Sequence, residues 1–207
     1  MSTATLKHVG WVLRGNAVTA GAALVTLLLV VIAILGPAIA PHDPLTSNVA
    51  NALTPPSAEH WFGTDRLGRD IFSRVLVATR LDLGIAVAAV ILSFAIGTAI
   101  GGAAGYLGGR FDKVTGRAVD VVMAFPLFVL AMALVAALGN RVENVVYATA
   151  IINLPFYIRF ARAEVNVRRD LGWVEAARAS GNGKAAVLFR FLLPNVMPAM
   201  MVQISLN

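Results

Sequence analysis

The sequence predicts an all-α fold: a polytopic membrane helical bundle with four complete transmembrane helices and the start of a fifth. Three observations lead there. Of the 207 residues, 58% are hydrophobic and only 14% charged, with a mean hydropathy of +0.76, whereas a soluble domain carries roughly 45–50% apolar and ~25% charged residues. The apolar residues gather into long uncharged runs, which is the membrane signature. The 17 Lys and Arg sit between those runs, where membrane proteins use them to fix orientation. That placement argues against a nucleic-acid partner despite the net charge of +6. Without Cys there are no disulfides and no thiolate metal site. His8, His42 and His60 are scattered, lack ligand-like spacing and read as ordinary solvated residues rather than a metal site.

Residues 1–16 form a polar N-terminal segment with Lys7 and Arg14. The first span, 17–40, holds no charge and ends in Gly36-Pro37. At ~1.5 Å rise per residue it can cross a ~30 Å hydrocarbon core. It is too long for the apolar region of a signal peptide, and Pro37 and Pro41 make a poor cleavage site, so it reads as an uncleaved span. Residues 41–82 form an external loop rich in Pro, Asn, Ser and Thr at its start. From Ile71 onward, Phe72, Val75, Leu76 and Thr79 repeat at helical spacing against Arg69, Ser73, Arg74 and Arg80. That pattern predicts an amphipathic helix at the interface; the first turns of the next span are the alternative.

The second span covers 83–106. Its small residues Ala89, Ser93, Gly97, Gly101 and Gly105 recur every four positions, a face that lets another helix approach closely in lipid. Gly97, Gly101 and Gly105 are the candidate packing residues, without indication of the partner helix. A short basic turn, 107–118, carries Arg110, Lys113 and Arg117 against Asp112. The third span, 119–138, has Asp120 at its entrance and Pro126 inside; 139–144 is an external turn. The fourth span, 145–160, is short and contains Pro155, which predicts fraying or a kink. A polar loop, 161–193, precedes the start of a fifth span, 194–207.

That loop is too polar to cross lipid and too rich in Ala for a floppy linker. Trp173 to Ala179 contains good helix formers. Ser180-Gly181-Asn182-Gly183 breaks the chain, since Gly permits a left-handed turn. A second amphipathic helix follows from Lys184 to Leu193, with Val187, Leu188, Phe191 and Leu192 on one side. Two short helices joined by a tight turn make a knob suited to a cleft on a soluble partner.

The order Glu175-Ala176-Ala177, three residues, Gly181, nine residues, an apolar residue and Leu193-Pro194 resembles the EAA loop of ABC-transporter permease subunits. Phe191 stands where Ile is usual. Phe62 to Asp70 (FGTDRLGRD), Gly105 to Gly109 (GYLGG) and Val119 to Pro126 (VDVVMAFP) resemble the C-type subunit of the dipeptide, oligopeptide and nickel branch. The likeness covers nearly the whole chain and implies a type I importer permease core over about 79–207. It assigns ATPase coupling to Glu175, Ala176, Ala177, Gly181, Leu193 and Pro194. It implies a bacterial inner-membrane protein that carries di- or oligopeptides, or nickel or another small solute. It also implies a homologous second permease, two ABC ATPase subunits, an external solute-binding protein and the lipid bilayer as partners. No Walker-type G-x-x-x-x-G-K-[ST] loop is present, so ATP is expected on the partner subunits, with no cofactor, metal or catalytic residue here. Family members have six spans, so the chain is expected to be truncated at its C-terminus.

Two other classes compete. An intramembrane enzyme needs paired acids, a Ser/His pair or a metal cluster at membrane depth, but Asp82 and Asp120 sit at span ends. A passive channel or assembly scaffold would show no stimulation of a partner ATPase.

Cation counts set the expected orientation. Lys7 and Arg14; Arg110, Lys113 and Arg117; and Arg159, Arg162, Arg168, Arg169, Arg178, Lys184 and Arg190 fall on one side, expected to be cytoplasmic. Arg66, Arg69, Arg74 and Arg80 fall on the other and count against the rule. The chain has no Cys, so single cysteines report topology cleanly. A cysteine at Ser57 is expected to react with an impermeant thiol reagent from the external side in intact cells; reaction only after membrane opening reverses the topology.

Overall fold

A computed structural model describes residues 15–206. The N-terminal segment with Lys7, His8 and Arg14 lies outside the described residues, as does Asn207. The regular structure is helical: α1 (Ala17–Ile39), α2 (Ile71–Leu107), α3 (Gly109–Met123), α4 (Leu127–Leu138), α5 (Val142–Arg168), α6 (Gly172–Ala179) and α7 (Lys184–Ser205). The chain divides into two compact units, Met1–Gly84 and Ile85–Asn207, with the boundary inside α2.

Three of these helices, α1, α2 and α7, are long and apolar enough to cross a membrane, and α3 with α4 make a fourth if that bent pair is one span. The expected set of spans is therefore redistributed. Helix α5, over the expected fourth span, is diluted by Glu143, Asn144, Asn153 and Arg159 and is not among them. Helix α7, over the expected start of a fifth, is.

In the first unit, the Asn16 side chain caps α1 by accepting from the N–H groups of Val18 (3.0 Å) and Thr19 (3.2 Å), satisfying donors that lack an intrahelical partner. Nearly all of α1 is exposed apolar surface; only Ala33 and Gly36 are buried. A Cβ at Gly36 would collide with the Leu76 carbonyl of α2. No separate interfacial helix precedes the second span: α2 runs unbroken for 37 residues from Ile71. Its apolar stripe from Phe72 to Thr79 is the first turns of the same helix, since nothing between Arg80 and Leu83 stops helical hydrogen bonding.

The second unit corrects four further boundaries. Gly108 and Gly109 take positive φ (64° and 60°), and the chain then winds into α3 rather than a basic turn, burying Thr115 and Val119. The expected third span is broken between Met123 and Leu127, where α3 and α4 are bent by 93°. Pro126 causes this, lacking an N–H and forcing its predecessor out of helical conformation. Pro155, by contrast, does not end α5, which continues to Arg168 with Ala148, Tyr157, Ala161 and Val165 buried. Tertiary packing offsets the single hydrogen bond lost there. The expected fifth span does not begin at Pro194 either. One helix, α7, passes through it after a widened π-type turn over Val187–Leu192, a usual adjustment where the hydrogen-bond ladder is interrupted.

The core of this unit joins Tyr157, Ala161 and Val165 of α5, Val174 of α6, and Val187, Leu188, Leu192, Leu193, Val196 and Met200 of α7. Gly97, Gly101 and Gly105 of α2 are all buried against α5. A Cβ at Gly97 would lie 2.5 Å from Tyr157 Cβ, and one at Gly105 2.6 Å from the Arg162 carbonyl oxygen. A Cβ at Gly101 would overlap the Ile158 backbone. Backbone cannot step aside as a side-chain tip can. Gly101→Leu is therefore expected to destabilise the chain by about 1–3 kcal/mol, the usual range for overpacking. Gly84→Leu in the same helix, where a Cβ meets nothing within 4 Å, is expected to be neutral. Unfolding of both variants in detergent checks this.

Candidate functional site

Helix α6, the turn 180–183 and the start of α7 form a helix–turn–helix in the second unit. Glu175 lies in the first turn of α6, where a carboxylate favours the helix dipole. The C-terminus of α6 is closed by side chains. Asn182 Nδ2 donates to the Ala177 carbonyl (2.9 Å) and Ser180 Oγ to the Ala176 carbonyl (2.8 Å). Gly181 then takes φ +81° with its N–H on the Arg178 carbonyl (3.0 Å). A Cβ there would meet open space, so the backbone conformation, not crowding, calls for Gly at this position.

The six coupling candidates separate by burial. Glu175, Ala176, Gly181 and Pro194 are exposed, whereas Ala177 and Leu193 are 7% exposed and face inward. Leu193 Cδ2 approaches Gly102 of α2 so closely that a Cβ at Gly102 would lie 2.7 Å from it. Trp173 and Phe189 were not singled out from sequence, yet both are large exposed apolar side chains on this segment. The signal was present, since each is off the buried stripe of its helix.

Cations tie this segment to its neighbours. The Arg178 guanidinium sits 5.1 Å over the Tyr106 ring of α2 and donates to the Arg169 carbonyl (3.1 Å), a cation–π contact of modest strength. Arg169 donates to the Gly105 carbonyl (3.0 Å). Arg162 grips Asp112 of α3 with two parallel N–H groups, Nε to Oδ1 and the second to Oδ2 at 2.8 Å, the strong bidentate form. Asp120, expected at a span entrance, stands 3.6 Å from Arg159.

In the first unit, Phe62 to Asp70 is folded into a compact loop. Gly63 and Gly68 take φ +72° and +70°, and a Cβ on either would run into the carbonyls of Thr54 and Asn48 respectively. Buried Thr64 donates to the Asn51 carbonyl and accepts from Thr54 N–H (2.9 Å). Asp65 accepts from the Leu67 N–H (2.8 Å), the Arg69 N–H (3.1 Å) and Arg69 Nε (2.8 Å). Asp70 caps α2, its Oδ2 accepting from Ser73 N–H (2.8 Å) and Ser73 Oγ (2.6 Å). Burial alone would raise the Asp70 carboxyl, but the hydrogen bonds from Ser73 and His60 outweigh it and hold the group below its usual value. The histidine reading needs correction here. His60 is largely buried and lies 3.0 Å from Asp70, and His42 lies beside them. Distant chain positions converge because the loop folds back on the start of α2.

Among the described residues the regular structure is helical, with three helices, or four if the bent pair is one span, long and apolar enough to cross a membrane, which is the build of a polytopic membrane protein. Family comparison identifies it further. The "Binding-protein-dependent transport system inner membrane component" family matches residues 96–207, and the "N-terminal TM domain of oligopeptide transport permease C" matches 6–56. The chain belongs to this family of ABC-transporter permeases. It is 39% identical over 197 residues to the "Probable D,D-dipeptide transport system permease protein" of Escherichia coli, covering 95% of this chain and 66% of the relative. It is 39% identical over 186 residues to the nickel transport system permease protein of the same species, covering 90% and 67%. It is 38% identical over 191 residues to the glutathione transport system permease protein of Pectobacterium atrosepticum, covering 92% and 64%. The chain thus spans about two thirds of the length of these relatives.

The Asp65 carboxyl is held down from 3.8 to about 2, first by the Arg69 side-chain hydrogen bond, against some desolvation, with backbone help from Arg69 and Leu67. A depressed carboxylate contributes stability above its unfolded pKa and loses it as pH falls through the folded one. Asp65→Asn is expected to lower the Tm at pH 7. The gap to the wild-type chain should close as the pH falls from about 4 to about 2, which thermal melts across that range will show.

Proposed function

We propose that the chain is a membrane-spanning permease subunit of an ATP-driven importer for di- or oligopeptides. It forms half of the translocation pathway and couples to separate ATPase subunits through α6, the Gly181 turn and the start of α7. The observation that carries this reading is the two-sided character of that segment. Val174, Val187, Leu188 and Leu192 are buried in the core with α5 and Ala177 is buried as well, while Trp173, Glu175, Ala176 and Phe189 are exposed. A push on the exposed side is delivered to α5 and α7 because packed interiors move as units. Buried Ala177 and Leu193 act by seating the knob; exposed Glu175, Ala176, Gly181 and Pro194 face the ATPase. The partners are a homologous second permease, two ATPase subunits and an external solute-binding protein, in a bacterial inner membrane with the coupling segment cytoplasmic.

The peptide assignment is supported by the dipeptide and glutathione transport names of relatives. A second reading, a nickel permease, is favoured by the nickel transport relative, equal in identity at 39%. Uptake competition between a labelled dipeptide and nickel in reconstituted vesicles separates the two.

The coupling assignment is tested at Gly181. A β-branched residue at this φ costs roughly 1–2 kcal/mol and misaims the knob. Gly181→Val is expected to leave the spans inserted and solute binding to the external protein unchanged, while ATPase co-purification or uptake falls about tenfold, as 1.4 kcal/mol implies. Glu175→Ala is expected to act in the same direction more weakly, since the exposed apolar surface remains. Normal ATPase association and uptake by the Gly181→Val protein would remove this segment as the coupling element.

A further inference from the structure

The loop of the first unit gathers His42, His60 and Asp70 with their ligand atoms all within 4.8 Å of one another. His60 Nδ1 lies 3.0 Å from Asp70 Oδ1, and His42 Nδ1 lies 3.8 Å from Asp70 Oδ2. The two rings are tilted by 40° with centroids 4.9 Å apart. Hydrogen bonding within the protein accounts for His60 but not for His42. His42 Nδ1 is buried and has no hydrogen-bond partner among the described residues, a state that buried polar atoms rarely keep.

We propose that His42, His60 and Asp70 bind one divalent transition-metal cation of the zinc class, clamping the loop onto the start of α2. Two neutral imidazoles and one carboxylate are a usual set for such an ion, whereas calcium and magnesium favour all-oxygen sites. Two ligands on one tetrahedral ion with bonds of about 2.0–2.1 Å stand roughly 3.3 Å apart, between the two separations observed. Binding replaces the His60–Asp70 hydrogen bond: the single proton of the neutral ring moves from Nδ1 to Nε2, and the freed Nδ1 lone pair goes to the metal. It also gives His42 Nδ1 the partner it lacks.

The surroundings suit a cation. The triad lines a cleft of about 250 Å³ that also presents Asp43 and Glu59 and, among the described residues, no Lys or Arg. The His42 side chain is 37% exposed, which leaves an entry path, and the cleft has room for water on a fourth position. Asp70 is oriented from behind by Ser73, whose Oγ also accepts the His42 backbone N–H (3.0 Å), the kind of outer support that metal ligands need. The clamp would join His42, just past α1, to His60 in the loop and Asp70 at the cap of α2. The proposal does not rest on the transport reading.

The test uses the full chain, purified in detergent and stripped with EDTA. Zn²⁺ is titrated calorimetrically, and Co²⁺ by its visible absorption. One Zn²⁺ per chain is expected, with micromolar or tighter affinity, a rise in Tm and Co²⁺ bands of a four- or five-coordinate nitrogen–oxygen site. His42→Ala removes a ligand without removing a protein hydrogen bond of that side chain. It is expected to weaken Zn²⁺ binding by on the order of a hundredfold or more, because loss of an outer-shell partner alone costs roughly 10–100-fold. His8→Ala is expected to change nothing. Absence of stoichiometric Zn²⁺ binding, or binding that His42→Ala leaves unchanged while the variant melts like the EDTA-stripped wild-type chain, overturns the proposal.

Discussion

The second unit depends on one close approach, that of the α2 backbone to α5 along Gly97, Gly101 and Gly105. Lipid supplies no hydrophobic drive between helices, so association rests on packing and on polar contacts that lipid cannot offer. Missing side chains on α2 allow Leu154, Ile158 and Arg162 of α5 to lie against it backbone to backbone. That closeness also seats the cations at the end of α5. Arg169 reaches the Gly105 carbonyl, and Arg162 reaches Asp112 of α3. Charges that sequence counting treats as orientation signals are, in the folded chain, also fasteners between helices.

The rest of the unit is attached to that pair in series. Val165 of α5, Val174 of α6 and Val187 of α7 share one buried cluster with Leu192 and Val196. The helix–turn–helix is therefore bound on its inner side to the same helix that α2 holds. Such an arrangement transmits displacement without a dedicated wire, since a packed interior has little freedom to deform continuously. The polar closure of α6 by Ser180 and Asn182, ahead of left-handed Gly181, sets the aim of the exposed surface.

In the first unit the governing constraint is backbone accounting. The loop before α2 has no regular ladder, so its polar groups are satisfied by turn-type backbone bonds and by side chains, with buried His42 Nδ1 the exception. Thr64, Asp65 and Asp70 each accept or donate locally, and Gly63 and Gly68 permit the turns that bring them into place. The Phe62–Asp70 motif is thus readable as a folding device: Thr64, Asp65, Arg69 and Asp70 all have backbone or side-chain bonds. Arg69 and Arg74, which count against the cation rule for orientation, stand 2.7 Å and 3.7 Å from Asp65, so they have a structural use that the rule does not consider.

The sequence alone determined the helical membrane class, the uncharged first span, the small-residue face of α2, the helix–Gly–helix segment after α5 and the family. Each of these is a local signal: hydropathy, a four-residue repeat, or a motif at fixed spacing. Only the tertiary structure decided what those signals touch. It decided that Gly97, Gly101 and Gly105 meet α5, that Ala177 and Leu193 point inward while Glu175 points out, and that α2 starts at Ile71 without a break. It also decided that Pro126 breaks a helix whereas Pro155 and Pro194 do not. The physical reason is common to all of them. A proline's cost or a side chain's burial is set by which neighbours arrive to compensate it, and those neighbours are distant in the chain. His42, His60 and Asp70 show this most plainly: 28 positions separate the first from the last, no spacing rule links them, and a folded loop places their ligand atoms within 4.8 Å.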